Sequence, residues 1–144
     1  MRGSSSSPSA PRSNIVVLGP NGSSMKWLYV TENMTIAAAA TSTSAANLLP
    51  SNSRIMAVAY RVTTVIPTAA TFEIGVTGDV SRFGTGVLVA AGTTGDTYSL
   101  ATPLNEMQNK TATQILITPN LTPAAATGRV RIVVWYMIVN SLTS

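Results

Sequence analysis

Apolar and polar residues alternate along most of this chain, and alternation with a period of two is typical of half-buried β-strands. The clearest example is GRVRIVVWYMIV, residues 128–139. One of its faces carries Val130, Ile132, Val134, Tyr136 and Ile138, and the other carries Arg129, Arg131, Val133, Trp135 and Met137. Because the second half is apolar on both faces, we expect a central strand or one that is covered on its outer side.

A second long strand is predicted for RIMAVAYRVTTVI, residues 54–66, and Pro67 ends it. One face carries Met56, Val58, Tyr60, Val62 and Thr64, and the smaller face carries Ile55, Ala57, Ala59, Arg61 and Thr63. Shorter strands are predicted at residues 14–18, 25–30, 34–38, 71–76, 86–92 and 113–119. The Ala- and Ser-rich residues that follow 34–38 are expected to form a long connection.

These elements amount to about eight short strands separated by Gly, Pro, Asn and Thr turns, which predicts an all-β protein. We expect a jelly-roll-like antiparallel β-sandwich, with an immunoglobulin-like sandwich as the alternative. Residues 15–144 are expected to form this single domain. Residues 1–14, MRGSSSSPSAPRSN, are expected to form a flexible N-terminal arm. The arm is either a disordered terminus or cloning remnant, or a segment that orders against a partner.

The composition indicates a protein that packs against neighbours. Hydrophobic residues make up 45% of the chain, but charged residues only 10%, against about 25% in an ordinary soluble domain. A surface with so few charges is poorly protected against association. The net charge is +4, yet the basic residues are spread along the sequence without runs. Direct nucleic-acid binding is therefore not expected.

The chain has no Cys and no His. Disulfides, thiol nucleophiles, imidazole bases and the usual ligands of zinc or haem are therefore excluded. The acidic residues form no recognisable pair, so we expect no enzyme activity, no cofactor and no metal. The longest apolar run, residues 132–139, is too short to span a bilayer, and no membrane association is expected.

The Gly-rich stretch GVTGDVSRFGTG, residues 75–86, is predicted to be a loop. A functional interpretation makes Asp79 a calcium ligand or general base, but calcium usually needs several carboxylates and only one is local. The structural interpretation needs less: Asp79 bonds nearby amides in an Asx turn, Arg82 pairs with it, and Phe83 packs under the loop. A paired-carboxylate site would require Asp79 to meet Asp96.

The motifs between residues 54 and 139 also carry a resemblance. A Thr-aromatic-acid-Ile-Gly strand (TFEIG), a Gly-Asp-x-x-Arg-Phe loop, a Gly-Thr-Thr-Gly turn and the closing strand GRVRIVVWY resemble the capsid cement (decoration) proteins of tailed bacteriophages. The resemblance implies a virion protein on the capsid exterior, present in the host cytoplasm during assembly. It implies a homodimer or homotrimer whose partner is the major capsid protein.

On this resemblance we expect partner contacts from Arg2 and Arg12 in the arm and from Asp79, Arg82 and Phe83 in the loop. Two rival functions remain open. A receptor- or glycan-binding module of a phage tail or fibre predicts exposed aromatic residues on loops. A carboxylate-based hydrolase predicts that loss of Asp79 or Asp96 abolishes an activity while the fold survives.

Overall fold

The protein is an all-β sandwich of two antiparallel sheets, as the alternation predicts. A computed structural model describes residues 14–18, 24–98, 108–109 and 111–140. Residues 1–13 of the predicted arm, with Arg2 and Arg12, lie outside the described residues. Asn14, the last residue of the predicted arm, is described. The strands are β1 (Asn14–Leu18), β2 (Ser24–Thr35), β3 (Ser42–Thr43), β4 (Ser53–Thr64), β5 (Thr71–Val76), β6 (Asp79–Leu88), β7 (Thr94–Tyr98), β8 (Gln108–Asn109), β9 (Leu116–Pro119) and β10 (Arg129–Asn140).

The strand order is that of a jelly roll. The large sheet runs β1-β2-β10-β4-β7, with β8 paired to the first two residues of β4. The small sheet runs β3-β9-β5-β6. With β1 and β8 set aside, the chain passes from one sheet to the other after every strand except β5, which pairs with β6 in the small sheet. The eight strands are related as two Greek keys. β10 pairs along its whole length with β2 on one side, and from Arg129 to Ile138 with β4 on the other. The sequence therefore predicted its central position correctly.

The core lies between the two sheets. β10 contributes Val130, Ile132, Val134 and Tyr136, all buried. The small sheet faces them with Phe72, Ile74 and Ile117 from β5 and β9, which are also buried. The described residues contain no helix long and apolar enough to cross a membrane.

Two strand predictions need correction. The separate strands predicted at 25–30 and 34–38 are one continuous strand, β2, because it pairs with β10 without a break from Ser24 to Thr35. In β4 the alternation changes phase: Trp135 of β10 lies opposite Ala57, while the next residue, Tyr136, lies opposite Ile55. This bulge turns Ile55 into the core together with Val58, although strict alternation places them on opposite faces.

The stretch 75–86 is a β-hairpin and not a loop. β5 ends at Val76, Thr77 and Gly78 form a two-residue turn, and β6 starts at Asp79, which pairs with Val76. The strand predicted at residues 86–92 therefore begins seven residues earlier. Hairpin pairing explains the error, because Gly75, Gly84 and Gly86 lie within bulged strands and only Gly78 lies in the turn.

Candidate interaction surface

Close backbone approach shapes the β5–β6 hairpin. A Cβ atom at Gly75 would overlap the backbone of Asp79 and Val80, so only glycine fits there. Gly78 has a φ of +90°, in the left-handed region that favours glycine. Between the pairs Ile74–Gly84 and Val76–Asp79, one residue of β5 faces four residues of β6. The glycines of this motif therefore serve a tight turn and a strongly bulged strand.

The predicted contact residues of the hairpin have different environments. Asp79 is exposed at the start of β6. The Arg82 guanidinium carbon lies 5.8 Å from the centre of the Phe83 ring, within cation–π range. Its Nε is buried and has no hydrogen-bond partner among the described residues. Phe83 itself is a core residue with 1% of its surface exposed. Of the three, Asp79 presents its side chain most openly to solvent.

The described carboxylates lie on four different strands. Asp79 belongs to the small sheet, whereas Asp96 lies on β7 of the large sheet, opposite Ala59. Glu32 accepts a hydrogen bond from the backbone N–H of Ala45 at 2.9–3.0 Å, and Glu73 accepts one from the Thr85 hydroxyl at 3.5 Å. Among the described residues no group of three or more acidic side chains is placed to hold a metal ion.

The outer face of the large sheet presents a patch of exposed aromatic and apolar side chains. Trp135 of β10 is 41% exposed and lies opposite Tyr29 of β2, while Met137 lies opposite Trp27, which is 38% exposed. Residues directly opposite on neighbouring strands share a face. We call this patch the tryptophan face; its members are Trp27, Tyr29, Ala57, Ala59, Val133, Trp135 and Met137.

A shallow groove lies beside Trp135. It has a volume of about 240 Å³ and is lined by Ala57, Ala59, Asp96 and Trp135. It forms because the two alanines of β4 leave space between the taller side chains on either side. Sites for drug-sized ligands usually occupy about 300–1,000 Å³ and enclose most of the ligand. This smaller, open groove instead suits one or two inserted side chains of a protein partner.

Three arginines border the tryptophan face at one end. Arg131 of β10 lies opposite Arg61 of β4. Arg129 precedes Arg131 by two residues in β10 and lies on the same face. All three residues are exposed. We call them the arginine trio. The basic residues form no run in the sequence, but the expectation that they do not cluster is wrong for these three, because strands distant in sequence bring them together.

The sequence contained a signal for this surface. Arg129, Arg131, Val133, Trp135 and Met137 share the outer phase of β10, and Ala57, Ala59 and Arg61 share the outer phase of β4. What the sequence lacked was the pairing of the two strands and their register. Once β4 and β10 are adjacent, the small residues, the tryptophans and the arginines form one surface.

The whole fold has a counterpart among solved structures. A chain of the cyanophage Pam1 capsid asymmetric unit superposes with a TM-score of 0.53 at 21% sequence identity. The match covers 96% of this chain and 99% of that chain, so the two have nearly equal lengths. Neither a protein-family model nor a curated protein matches the sequence. At this level of identity the likeness is one of fold: both chains form the same kind of sandwich.

Proposed function

We propose that this protein is a structural virion protein that binds the outer surface of a phage capsid and clamps neighbouring major capsid protein subunits. The observation that carries the proposal is the fold shared with a phage capsid chain over 96% of this sequence. The cement-protein motifs point in the same direction. The proposal assigns the chain a mechanical role and no catalytic step.

The tryptophan face is the surface best suited to the shell. Trp, Tyr and Arg are the residue types that most often dominate binding energy at protein interfaces. Here they occur together, with Trp135 beside a groove that can accept a side chain of the partner. An aromatic anchor next to a small pocket is the arrangement expected of an interface centre.

The strand edges of the small sheet are less suited to pairing with another chain. β6 lies at one edge of this sheet, and its bulges twist the strand away from regular pairing. β3 lies at the other edge and has only two residues, Ser42 and Thr43. Strand addition at either edge would therefore gain few hydrogen bonds. This favours attachment through a sheet face.

Stabilisation of a shell by such a protein follows from mass action. A protein that binds the assembled shell better than its dissociated subunits raises the free energy of opening the shell. Many copies bind each shell, so modest individual contacts add up, and a copy bridging two subunits gains from its second attachment.

Binding to isolated shells tests the proposal. Purified protein is mixed with capsids that lack it, and both the bound copy number and shell survival on heating are measured. We expect saturable binding at a copy number set by capsid symmetry, and survival at higher temperature. No binding to capsids, combined with binding to host cells or sugars, would overturn the proposal in favour of a tail or fibre module.

The rival tail or fibre module has less support from the geometry. It predicts exposed aromatic residues on loops, as in sugar-binding sites. The two tryptophans of the chain lie within β2 and β10, in the middle of a sheet face. The groove on the small sheet, about 360 Å³ and lined in part by Glu73, Thr85 and Asn120, has no exposed aromatic residue among its lining residues.

A further inference from the structure

We propose that the arginine trio is a docking point for carboxylates on the protein partner, placed beside the apolar contact of the tryptophan face. The partner is therefore a protein surface with an apolar patch bordered by Asp or Glu side chains. This inference rests on the proposed function, in which the shell presents that surface. It adds that the contacting groups of the partner are negatively charged and that they bind at the arginine trio.

The three side chains are held close together by strand register. Arg61 and Arg131 are directly opposed on β4 and β10, and directly opposed residues have Cβ atoms about 4.5–5.5 Å apart. Arg129 projects from the same face two residues along β10, one step further from Trp135. All three residues are exposed, and within the trio the ladder is irregular only between Arg129 and Val130, where β4 carries an extra residue. Such a group of arginines can form several charge-assisted bonds with one or two carboxylates.

The trio is unfavourable for the isolated protein. Like charges directly opposite each other on neighbouring strands destabilise a sheet. None of the described carboxylates lies directly opposite an arginine of the trio: Asp96 is on this face but pairs with Ala59, and Glu32 bonds the backbone of Ala45. Glu73 and Asp79 belong to the small sheet. An arrangement that costs stability in the free protein is explained if an external anion binds there.

The surroundings favour a protein rather than a nucleic acid as the source of the anion. The trio occupies one end of the face, where Val133 separates Arg131 from Trp135 along β10 and Ala59, beside Arg61 in phase on β4, already lines the Trp135 groove. Asp96 lines that groove and would repel a phosphate backbone that continued along the face. Proteins that bind nucleic acid without sequence preference usually follow the backbone with an extended positive groove. A compact positive corner beside an apolar patch instead matches a protein interface.

The test compares charge changes inside and outside the trio. Arg131→Gln removes one positive charge from it, and Arg61→Gln/Arg131→Gln removes two. Lys26→Gln is the matched control, because it also removes one charge but lies on β2 opposite Ile138, on the inner side of the strand. Binding to capsids lacking the protein is measured from about 50 mM to about 300 mM salt, since exposed charge pairs weaken as salt rises. Thermal unfolding of each variant is measured in parallel.

We expect the double variant to bind at least about tenfold more weakly at low salt and to show a flatter salt dependence. Lys26→Gln should bind like the wild type. The double variant should unfold at the wild-type temperature or higher, because a repulsive pair has been removed. This combination of weaker binding and undiminished stability separates a docking role from a structural one.

The experiment distinguishes failure of the trio's docking role from failure of the proposed function. If the wild type binds capsids and the double variant binds with the same affinity and salt dependence, the trio has no docking role while the proposed function stands. If the wild type does not bind capsids, the proposed function fails and this inference fails with it. A short DNA duplex serves as the competing probe. If the wild type binds it tightly and the double variant does not, the carboxylate assignment is overturned in favour of phosphate.

Discussion

The β5–β6 hairpin and the tryptophan face differ in where their distinctive residues point. The hairpin has a conspicuous sequence, with Gly, Asp, Arg and Phe in close succession, but Phe83 points into the core and Arg82 stacks on its ring. The tryptophan face comes from ordinary strand sequences, yet it presents two half-exposed tryptophans and three exposed arginines on one side of a rigid sheet.

This difference separates residues that build the fold from residues that are free to bind. A motif made of turn and bulge residues identifies a fold, because those residues allow the backbone conformations that the fold requires. Exposed aromatic and charged side chains on the outer face of a sheet are not needed to fill the core or to form a turn, so a partner accounts for them better. Four substitutions test whether the two regions differ in this way.

Phe83→Ala should cost about 3–5 kcal/mol of folding stability, because it leaves a cavity in the core. Denaturant unfolding of the variant and the wild type measures the loss. Asp79→Asn is the control within the same hairpin and should change stability by less than about 1 kcal/mol. A Phe83→Ala protein with wild-type stability but no capsid binding would make the hairpin the contact surface and reverse the comparison.

Trp135→Ala should weaken capsid binding by about 2 kcal/mol or more, roughly thirtyfold in affinity, since it removes the central aromatic anchor. The half-exposed side chain contributes less to the core, so unfolding should shift by about 1 kcal/mol or less. Leu88→Ala is the matched control, because Leu88 is an exposed apolar residue on the other sheet. Equal losses of affinity in the two variants would count against the tryptophan face.

Gly78→Ala should destabilise the protein by about 1 kcal/mol, because alanine is strained at a φ of +90°. No neighbouring atom would touch the added methyl group, so the effect isolates backbone strain. Thermal unfolding measures it, and capsid affinity per folded molecule should stay unchanged. A large loss of affinity at this exposed turn would instead indicate that the partner touches the hairpin tip.

The wild type should lose stability at alkaline pH through Tyr136, and the Tyr136→Phe variant should not show this loss. Burial raises the pKa of Tyr136 above its ordinary value of 10.0, because the charged phenolate is poorly solvated between the two sheets. The unfolded chain then releases the proton at a lower pH than the folded protein does. Stability from this group is present below pH 10 and decreases as pH rises through the folded pKa. Unfolding of both proteins from about pH 8 to about pH 11 measures the difference.

Identical pH profiles for wild type and Tyr136→Phe would show that Tyr136 is not buried. That result would bear directly on the comparison, since Tyr136 and Trp135 are adjacent and point to opposite sides of β10. If the tyrosine faced solvent, the assignment of the outer face to Trp135 would lose its basis.

Much of the fold was predictable because alternation records burial directly. The inner face of β10, from Val130 to Tyr136, is buried as its pattern indicated. The bulge near Ala57 was not predictable, since a bulge is defined by the pairing of two strands and the register of β4 against β10 is not written in either strand alone. For the same reason the sequence of β2 predicts two strands, whereas its pairing with β10 is continuous.

The binding surface was harder to predict than the fold. The Gly-rich stretch predicts a loop because several glycines close together usually mark a turn. Here Gly75 instead allows the backbone of β6 to come close to β5. The arginine trio combines Arg61 with Arg129 and Arg131 from a distant part of the sequence. A linear scan for basic runs therefore cannot detect it. Surfaces of this kind become visible only when the sheet order is known.

The most direct test is a cryo-electron microscopy map of capsids saturated with the protein. The account predicts that the large sheet lies against the shell, with Trp135 within about 4 Å of a capsid subunit and the arginine trio facing acidic side chains. A map in which the protein contacts the shell through the β5–β6 hairpin, with the tryptophan face turned to solvent, would contradict it.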